Sequence, residues 1–339
     1  VYVFVRDGAV EIRDASHLWG KATAETETLI RQEAGDDKVR VAQIGPAGEK
    51  LVRFACVLNE RTRAVGRTGM GAVMGSKNLK AVAVKGTGKV GVAEPDKIRE
   101  LGRWMAENYK TYAGSLGDLG TARVLLGLSA SGGLPTRNFS QGSFEHAEKI
   151  SGERMKETVL VGRETCFGCP IRCKRVVKAD GADPVYGGPE YEALASLGSC
   201  CGIDDLAAVC KANAFCNAMG IDVISAGVTI AFVMECVERG ILKPSDLDGL
   251  ELRFGNADAM LKALELIAKR EGIGNDLAEG TWRLSQKIGG EAPRYAMCIK
   301  GQELPMHEPR LKRGLSIGYA VSPTGADHNH NIHDPLYSN

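Results

Sequence analysis

The spacing of apolar positions changes character twice along the chain. Val1-Tyr-Val-Phe-Val5 is an aromatic and β-branched run, Val10-Glu-Ile12 alternates, and Lys80-Ala-Val-Ala-Val-Lys85 alternates again, so residues 1–90 read as strand-rich. One helix is predicted among them, over 23–33, with acidic residues in its opening turns. Gly86-Thr-Gly88 and Pro95 mark a shift in composition, and from there to about residue 290 the pattern is helical. Helices are predicted over 95–112, 153–159, 189–199, 204–219, 223–239, 257–271 and 275–288. Asp204-Asp205 suits a helix start and Gly240 a helix stop. From Gly301 onward, prolines at 305, 309, 323 and 335 predict loops. The expected fold class is α+β: a β-rich N-terminal domain (1–90), a mainly helical body (91–299) and the start of a third region (300–339).

Composition narrows the choice of function without naming one. The 339 residues carry 43 basic and 42 acidic side chains, so nothing marks a nucleic-acid or anionic-membrane binder. The longest apolar run, 223–234, falls short of the roughly 20 residues that cross a bilayer, and no leader pattern follows Val1–Val5. A cytoplasmic protein is expected, without nucleic-acid or membrane partners and with homo-oligomerisation open. The chain begins on Val and stops at Tyr337-Ser-Asn339 without a closing element, so a piece of a longer protein is expected.

Ten cysteines are too few for a disulfide-stapled scaffold of this length. Seven sit among small and apolar residues and read as buried thiols. Cys166, Cys169 and Cys173 differ, because C-x2-C-x3-C around Gly168 and Pro170 lets three thiolates converge on one centre. Sulfur ligation points to zinc or to an iron–sulfur cluster. Zinc needs a fourth Cys or His, usually from a second short pair, and no such pair is present; a cluster can take its fourth thiolate from far along the chain. On spacing alone iron–sulfur, zinc and inert thiols all remain open. Arg172, Lys174 and Arg175 are expected to favour the thiolate form.

A second passage, Gly66 to Lys77, is rich in glycine. It matches neither the dinucleotide fingerprint, since Met74 stands where the third glycine belongs, nor the P-loop, whose lysine precedes the hydroxyl residue. Two readings stay open: backbone N–H groups with Arg67 and Lys77 facing a phosphate, or a tight turn between strands.

Arg67-Thr-Gly-Met-Gly-Ala-Val-Met-Gly-Ser-Lys-Asn-Leu-Lys80 resembles the signature of the tungsten-containing aldehyde ferredoxin oxidoreductases. So do Ile12–Gly20, Cys166–Cys173, Gly188-Pro-Glu-Tyr-Glu192, Lys300–Pro305 and Gly318–His328, all in family order. The resemblance implies tungsten, or molybdenum in some members, held by two pterins beside one [4Fe-4S] cluster, with Mg2+ bridging the pterin phosphates. It implies a β-rich base under the pterins, covered by helical domains. Cys166, Cys169 and Cys173 match three cluster ligands, the fourth being expected beyond Asn339. Arg67, Gly69, Gly71 and Lys77 match the pterin-phosphate region. Asp222 matches a pterin-binding aspartate, while Ala218 stands where the family has a second one and Asn217 is the substitute expected. Glu190 or Glu192 is the acidic residue near the metal, and His328 the active-site histidine. His330 and His333 are expected to be solvated. The activity implied is oxidation of aldehydes to carboxylic acids, with electrons passing to ferredoxin or an electron-transfer subunit. A low-potential reductase of coenzyme A thioesters and an iron–sulfur subunit without the pterin group are the alternatives.

Overall fold

In a computed structural model, residues 1–330, 333 and 334 are described; the last part of the expected third region, 335–339, lies outside them. Six strands form one mixed sheet: β1 (Tyr2–Arg6), β2 (Ala9–Arg13), β3 (Arg40–Ile44), β4 (Val57–Asn59), β5 (Arg63–Val65) and β6 (Ala81–Lys85). Their spatial order is β2-β1-β6-β3-β4-β5, with β1 and β6 parallel and every other pair antiparallel. Asp7 and Gly8 both take positive φ, which suits the two-residue turn joining β1 to β2. Tyr2 and Phe4 of β1 point under the sheet with Val41, Ala81 and Ala83, and helix Thr23–Ala34 covers them through Ile30. That helix runs where its pattern places it and stops on Gly35 in the left-handed region.

The second, larger core belongs to the helices. Helix Val223–Glu238 is its axis, with every residue from Ile224 to Cys236 buried. A helix apolar on all sides belongs in a core, and this explains the 223–234 run. Among the described residues no helix is long and apolar enough to cross a membrane. Helix Tyr191–Leu197 packs so closely on it that a Cβ on Gly227 would stand 2.5 Å from the Ser196 carbonyl oxygen. Helices Leu206–Met219 and Ala257–Lys269 complete the layer.

Three expectations are corrected. The helix predicted over 95–112 continues to Leu119, with non-helical dihedrals at Ala113. The one predicted over 275–288 is split into Gly274–Leu277 and Thr281–Ile288 by Gly280 at φ +82°. The stretch after Gly301 holds helix Arg313–Val321 as well as loops. Its first N–H groups are met from 20 residues downstream, Asp334 Oδ1 accepting from Gly314 N at 2.7 Å, so no local cap marked it.

Candidate functional site

Three separate stretches meet at one cluster of polar side chains. Glu190 and Glu192 flank Tyr191 at the start of helix Tyr191–Leu197, so their side chains diverge. The Glu192 carboxylate turns toward the loop after Leu304. There its Oε2 accepts from Met306 N at 2.9 Å, and its Oε1 lies 3.1 Å from His307 Nε2 and 3.9 Å from His328 Nε2. Tyr191 donates its hydroxyl proton to the Met306 carbonyl and Tyr319 to the His307 carbonyl, the latter at 3.2 Å. Both tyrosines are buried and hold the loop in place. Donor atoms of Glu192, His307 and His328 all fall within 4.8 Å of one another, the one such acidic, histidine or cysteine trio among the described residues.

Burial alone raises the Glu192 carboxyl, but the charge of His328, the His307 imidazole and the Met306 N–H outweigh it and bring it down to about 2. Its Oε1 and His328 Nδ1 are both buried without a hydrogen bond. Oε1 has the His307 ring as its near neighbour, so His328 Nδ1 is the atom of this cluster for which the chain offers no partner.

Glu190 stands apart from this cluster. Its carboxylate pairs with Lys174 at 2.8 Å and accepts from the Thr121 hydroxyl, which in turn accepts from Tyr191 N at 2.9 Å. Thr121, from a distant segment, therefore does the capping, and Glu190 faces the cysteine loop.

Sequence reasoning missed His307 and Lys312. Lys312 is buried, with Nζ 2.7 Å from His307 Nδ1 and 3.1 Å from His333 Nδ1. His333, expected in solvent, instead sets its ring against His307 with centroids 4.3 Å apart. His330 is the more open of the two, its Nδ1 3.0 Å from the Ser322 hydroxyl. His307 lies between Pro305 and Pro309, where no periodicity announces burial.

The pterin-region residues separate in space. Arg67 crosses from the sheet to the C-terminal loops, donating to the Glu303 carbonyl and, at 2.9 Å, to the Ala326 carbonyl two residues before His328. Its Nε is buried, 3.6 Å from Asp222 Oδ2 and without a hydrogen bond. Asp222 caps helix Val223–Glu238 through Ile224 N (3.1 Å), Ser225 N (3.2 Å) and the Ser225 hydroxyl (2.8 Å). Beside them opens a cavity of about 690 Å³, lined in part by Arg53, Thr68, Gly69, Ser225, Arg283 and Lys300. Gly69 is on its wall at φ +72°, where a Cβ would meet the Arg53 carbonyl oxygen at 2.2 Å. Gly71 does other work: a Cβ there would stand 2.5 Å from the Cys56 carbonyl oxygen, so this glycine packs helix Met70–Ser76 onto the backbone beneath it. Neither open reading of the passage covers that role. Lys77 is exposed at the end of the same helix. Asn217 spends its amide on the Tyr186 carbonyl at 2.9 Å.

The three clustered cysteines share one loop between the strand pair Leu160–Glu164 and Lys174–Val177. Cys166 is exposed, Cys169 and Cys173 are half-buried, and Gly168 and Arg172 bend the chain at positive φ. The basic side chains expected to ionise these thiols are mostly engaged elsewhere. Arg172 donates to the Arg163 carbonyl at 2.8 Å. Buried Arg175 donates to the carbonyls of Gly117, Asp118, Arg172 and Cys173, tying the loop to the end of helix Pro95–Leu119. Burial and the Glu190 carboxylate raise the Cys173 thiol against the pull of Lys174. Arg63 is the cation that braces the loop from the sheet, donating to the Thr165 carbonyl at 2.6 Å.

The profile of aldehyde ferredoxin oxidoreductase, N-terminal domain, matches residues 1–86, and that of aldehyde ferredoxin oxidoreductase, domains 2 and 3, matches 97–335. The tungsten-containing aldehyde ferredoxin oxidoreductase of Pyrococcus furiosus is 43% identical over 335 residues, covering 97% of this chain and 54% of that protein. Its Pyrococcus horikoshii counterpart is 45% identical over 334 residues, with the same coverage. The aliphatic sulfonate oxidoreductase, WOR-like subunit, of Pyrococcus furiosus is 32% identical over 352 residues, 97% of this chain and 56% of that one. Among solved structures, the active-site complex BamBC of benzoyl coenzyme A reductase with 1,5-dienoyl-CoA superposes with a TM-score of 0.75 at 28% identity, covering 90% of this chain and 48% of that one. The chain thus spans about half the length of the curated relatives it matches. With both profiles together spanning nearly all of it, the chain belongs to the aldehyde ferredoxin oxidoreductase family.

Proposed function

We propose that the full-length protein oxidises aldehydes to carboxylic acids at a tungsten–bis-pterin centre seated beside Glu192 and His328. The observation that carries this reading is the convergence of Glu192, His307 and His328 within 4.8 Å at the end of the Arg67 span, with His328 Nδ1 buried and without a hydrogen bond. The residues present fit such a group. Arg67 Nε is buried without a hydrogen bond, and Arg283 and Lys300 bring positive charge to the adjoining cavity, as an anionic pterin phosphate requires, while Arg53 there is paired with Glu279 and Glu303 adds a carboxylate to the wall. Gly69 is on the cavity wall against the Arg53 carbonyl, and Asp222 reaches the cavity only through Ser225, whose hydroxyl it accepts from. Lys77 and Asn217 add no contact to this argument. Mg2+ between the pterin phosphates is the remaining part of the family expectation.

The reaction consumes water and releases two electrons and two protons per aldehyde. When bound, the metal–pterin group supplies Lewis acidity and takes up the electron pair. Glu192 stays ionised at neutral pH, and its Oε1 takes a proton from the water that furnishes the new oxygen. His328 Nδ1 meets the carbonyl oxygen as negative charge builds there. Tyr191 and Tyr319 hold the histidine loop still while this happens. Cys166, Cys169 and Cys173 would hold three corners of a [4Fe-4S] cluster, which would supply one-electron transfer toward ferredoxin or an electron-transfer subunit. The C-x2-C-x3-C spacing, with no second short Cys or His pair to complete a zinc site, is what supports a cluster here.

The test is elemental analysis of the full-length protein purified without oxygen, followed by an aldehyde panel with a viologen dye. About one tungsten or molybdenum with about four irons and four sulfides, and aldehyde-dependent dye reduction, are expected. Iron and sulfide alone would leave an electron-transfer subunit, and zinc without sulfide would sink the reading. Likeness to the benzoyl coenzyme A reductase complex favours one second reading, reduction of an aromatic coenzyme A thioester, so the panel includes such thioesters.

A further inference from the structure

His307, Lys312 and His333 form a buried group that the proposed chemistry leaves unused. Lysine is a donor only, so a ring nitrogen that faces its ammonium must be an acceptor. Lys312 Nζ faces Nδ1 of His307 at 2.7 Å and Nδ1 of His333 at 3.1 Å. Each ring then carries its proton on Nε2. The far side of each ring has an acceptor in place: Glu192 Oε1 lies 3.1 Å from His307 Nε2, and the His328 carbonyl oxygen lies 3.2 Å from His333 Nε2. One ammonium therefore organises both the carboxylate and the backbone of the histidine beside it.

We propose that Lys312 is a positioning residue of this site, fixing His307 and His333 as neutral Nε2–H tautomers so that one aims the Glu192 carboxylate and the other anchors His328. The inference rests on the proposed function only for its effect on rate; the tautomers stand without it. Burial lowers the affinity of both rings for a second proton, in keeping with neutral imidazoles; at His307 the Glu192 carboxylate acts against it and Lys312 and His328 with it, and at His333 the neighbouring His307 and Lys312 add to it. The charged and titratable groups facing them are Glu192 and Tyr191 from the helix start, Lys312 and Tyr319 from helix Arg313–Val321 and its cap, and His328 and Asp334 from the terminal loop. Burial lowers Lys312 too, while Glu192 and Asp334 act to keep it charged. A lysine at this position does what a second carboxylate would do for an ordinary catalytic histidine, with the opposite proton placement.

The experiment uses the full-length, metal-loaded protein with ring-labelled histidine. Isotope-edited vibrational spectra at pH 7 report the tautomer of each ring, and His307→Gln and His333→Gln assign the two signals by their loss. Two neutral Nε2–H signals are expected in the wild type, and both change in Lys312→Met; Nδ1–H or imidazolium signals overturn the proposal. In kinetics, Lys312→Met at unchanged metal content is expected to lower kcat by about tenfold, a fraction of what a misaligned base loses, with KM nearly constant. Its acid limb moves to higher pH, because His307 freed of the ammonium accepts a proton more readily. Lys312→Gln keeps a donor and recovers most of the rate. Lys312→Met with wild-type kcat and acid limb overturns the positioning role. Should Lys312→Met fail to fold, Lys312→Gln carries the same comparison, a wild-type tautomer pattern supporting the proposal and a scrambled one refuting it. A wild type that oxidises no aldehyde but shows both Nε2–H signals refutes the proposed function and leaves the tautomer assignment intact.

Discussion

Replacing Glu192 and Glu190 separately by glutamine tests which of the two carboxylates does chemistry. Glu192→Gln keeps the volume and an acceptor for Met306 N, which lies 2.9 Å from Oε2, and removes only the charge and the basic oxygen at Oε1. A general base contributes about 10²–10⁴ in rate, which at about 1.36 kcal/mol per decade is about 2.7–5.4 kcal/mol of barrier. Glu190→Gln loses a pair with Lys174 in which the glutamate and lysine side chains are 28% and 25% exposed. Pairs so open to water are worth about 0.5 kcal/mol, or about a twofold effect on any property they touch. The assay is kcat/KM for a good aldehyde with viologen as acceptor, on anaerobic full-length variants of matched tungsten and iron content. Glu192→Gln is expected to fall at least a hundredfold, by the same estimate, and Glu190→Gln to stay near wild type. If Glu192→Gln keeps more than about a tenth of the activity, or if Glu190→Gln falls as far, Glu192 is not the base.

Three further outcomes follow from the same contacts. Gly75→Ala would place a Cβ 2.0 Å from the Gly48 carbonyl oxygen, so the short helix must move; a cost of about 3 kcal/mol and a Tm lower by on the order of 5–10 °C are expected by calorimetry. Arg175→Met strands four backbone carbonyls under the cysteine loop, which is expected to lower iron per protein in metal analysis before it lowers tungsten. Glu192 has a folded value near 2 against 4.5 for the free group, so it stabilises the fold above pH 4.5, and that contribution is lost as pH falls through the folded value. The full term is about 3 kcal/mol at 1.36 kcal/mol per unit, and a Tm-versus-pH curve that falls less steeply between pH 4.5 and 2 in Glu192→Gln is the sign to look for.

Where the signal was local, the sequence carried it. Helix Thr23–Ala34, helix Leu206–Met219 and the all-apolar helix Val223–Glu238 fall where periodicity and caps place them, because each is decided by residues within a turn or two. Arg313–Val321 was missed since its cap, Asp334, is 20 residues away, and the prolines around it spoke for loops. Gly71 and Gly75 show the converse: their density left a phosphate-facing loop and a tight turn both open, and backbone from 48 and 55–56 fills the space above them, an approach that no pattern along the chain records.

The catalytic candidates divide along the same line. Motif order brought out Glu190, Glu192 and His328, but choosing between the carboxylates required knowing that residues two apart at a helix start diverge, one toward Lys174 and one toward His307. His307 and Lys312 were beyond reach for a different reason. Each is common in surface loops, and only the closure of 304–312 against Tyr191 and Tyr319 buries them together. Burying an ammonium is costly unless its protons are met, and two imidazole nitrogens meet two of them here. A polar group retained at that cost, one imidazole away from the Glu192 carboxylate, is better explained by the alignment it imposes than by stability. An apolar residue at 312 would pack the same space with less penalty, and it would leave His307 free to choose either tautomer, one of which turns a lone pair toward Glu192 in place of a proton.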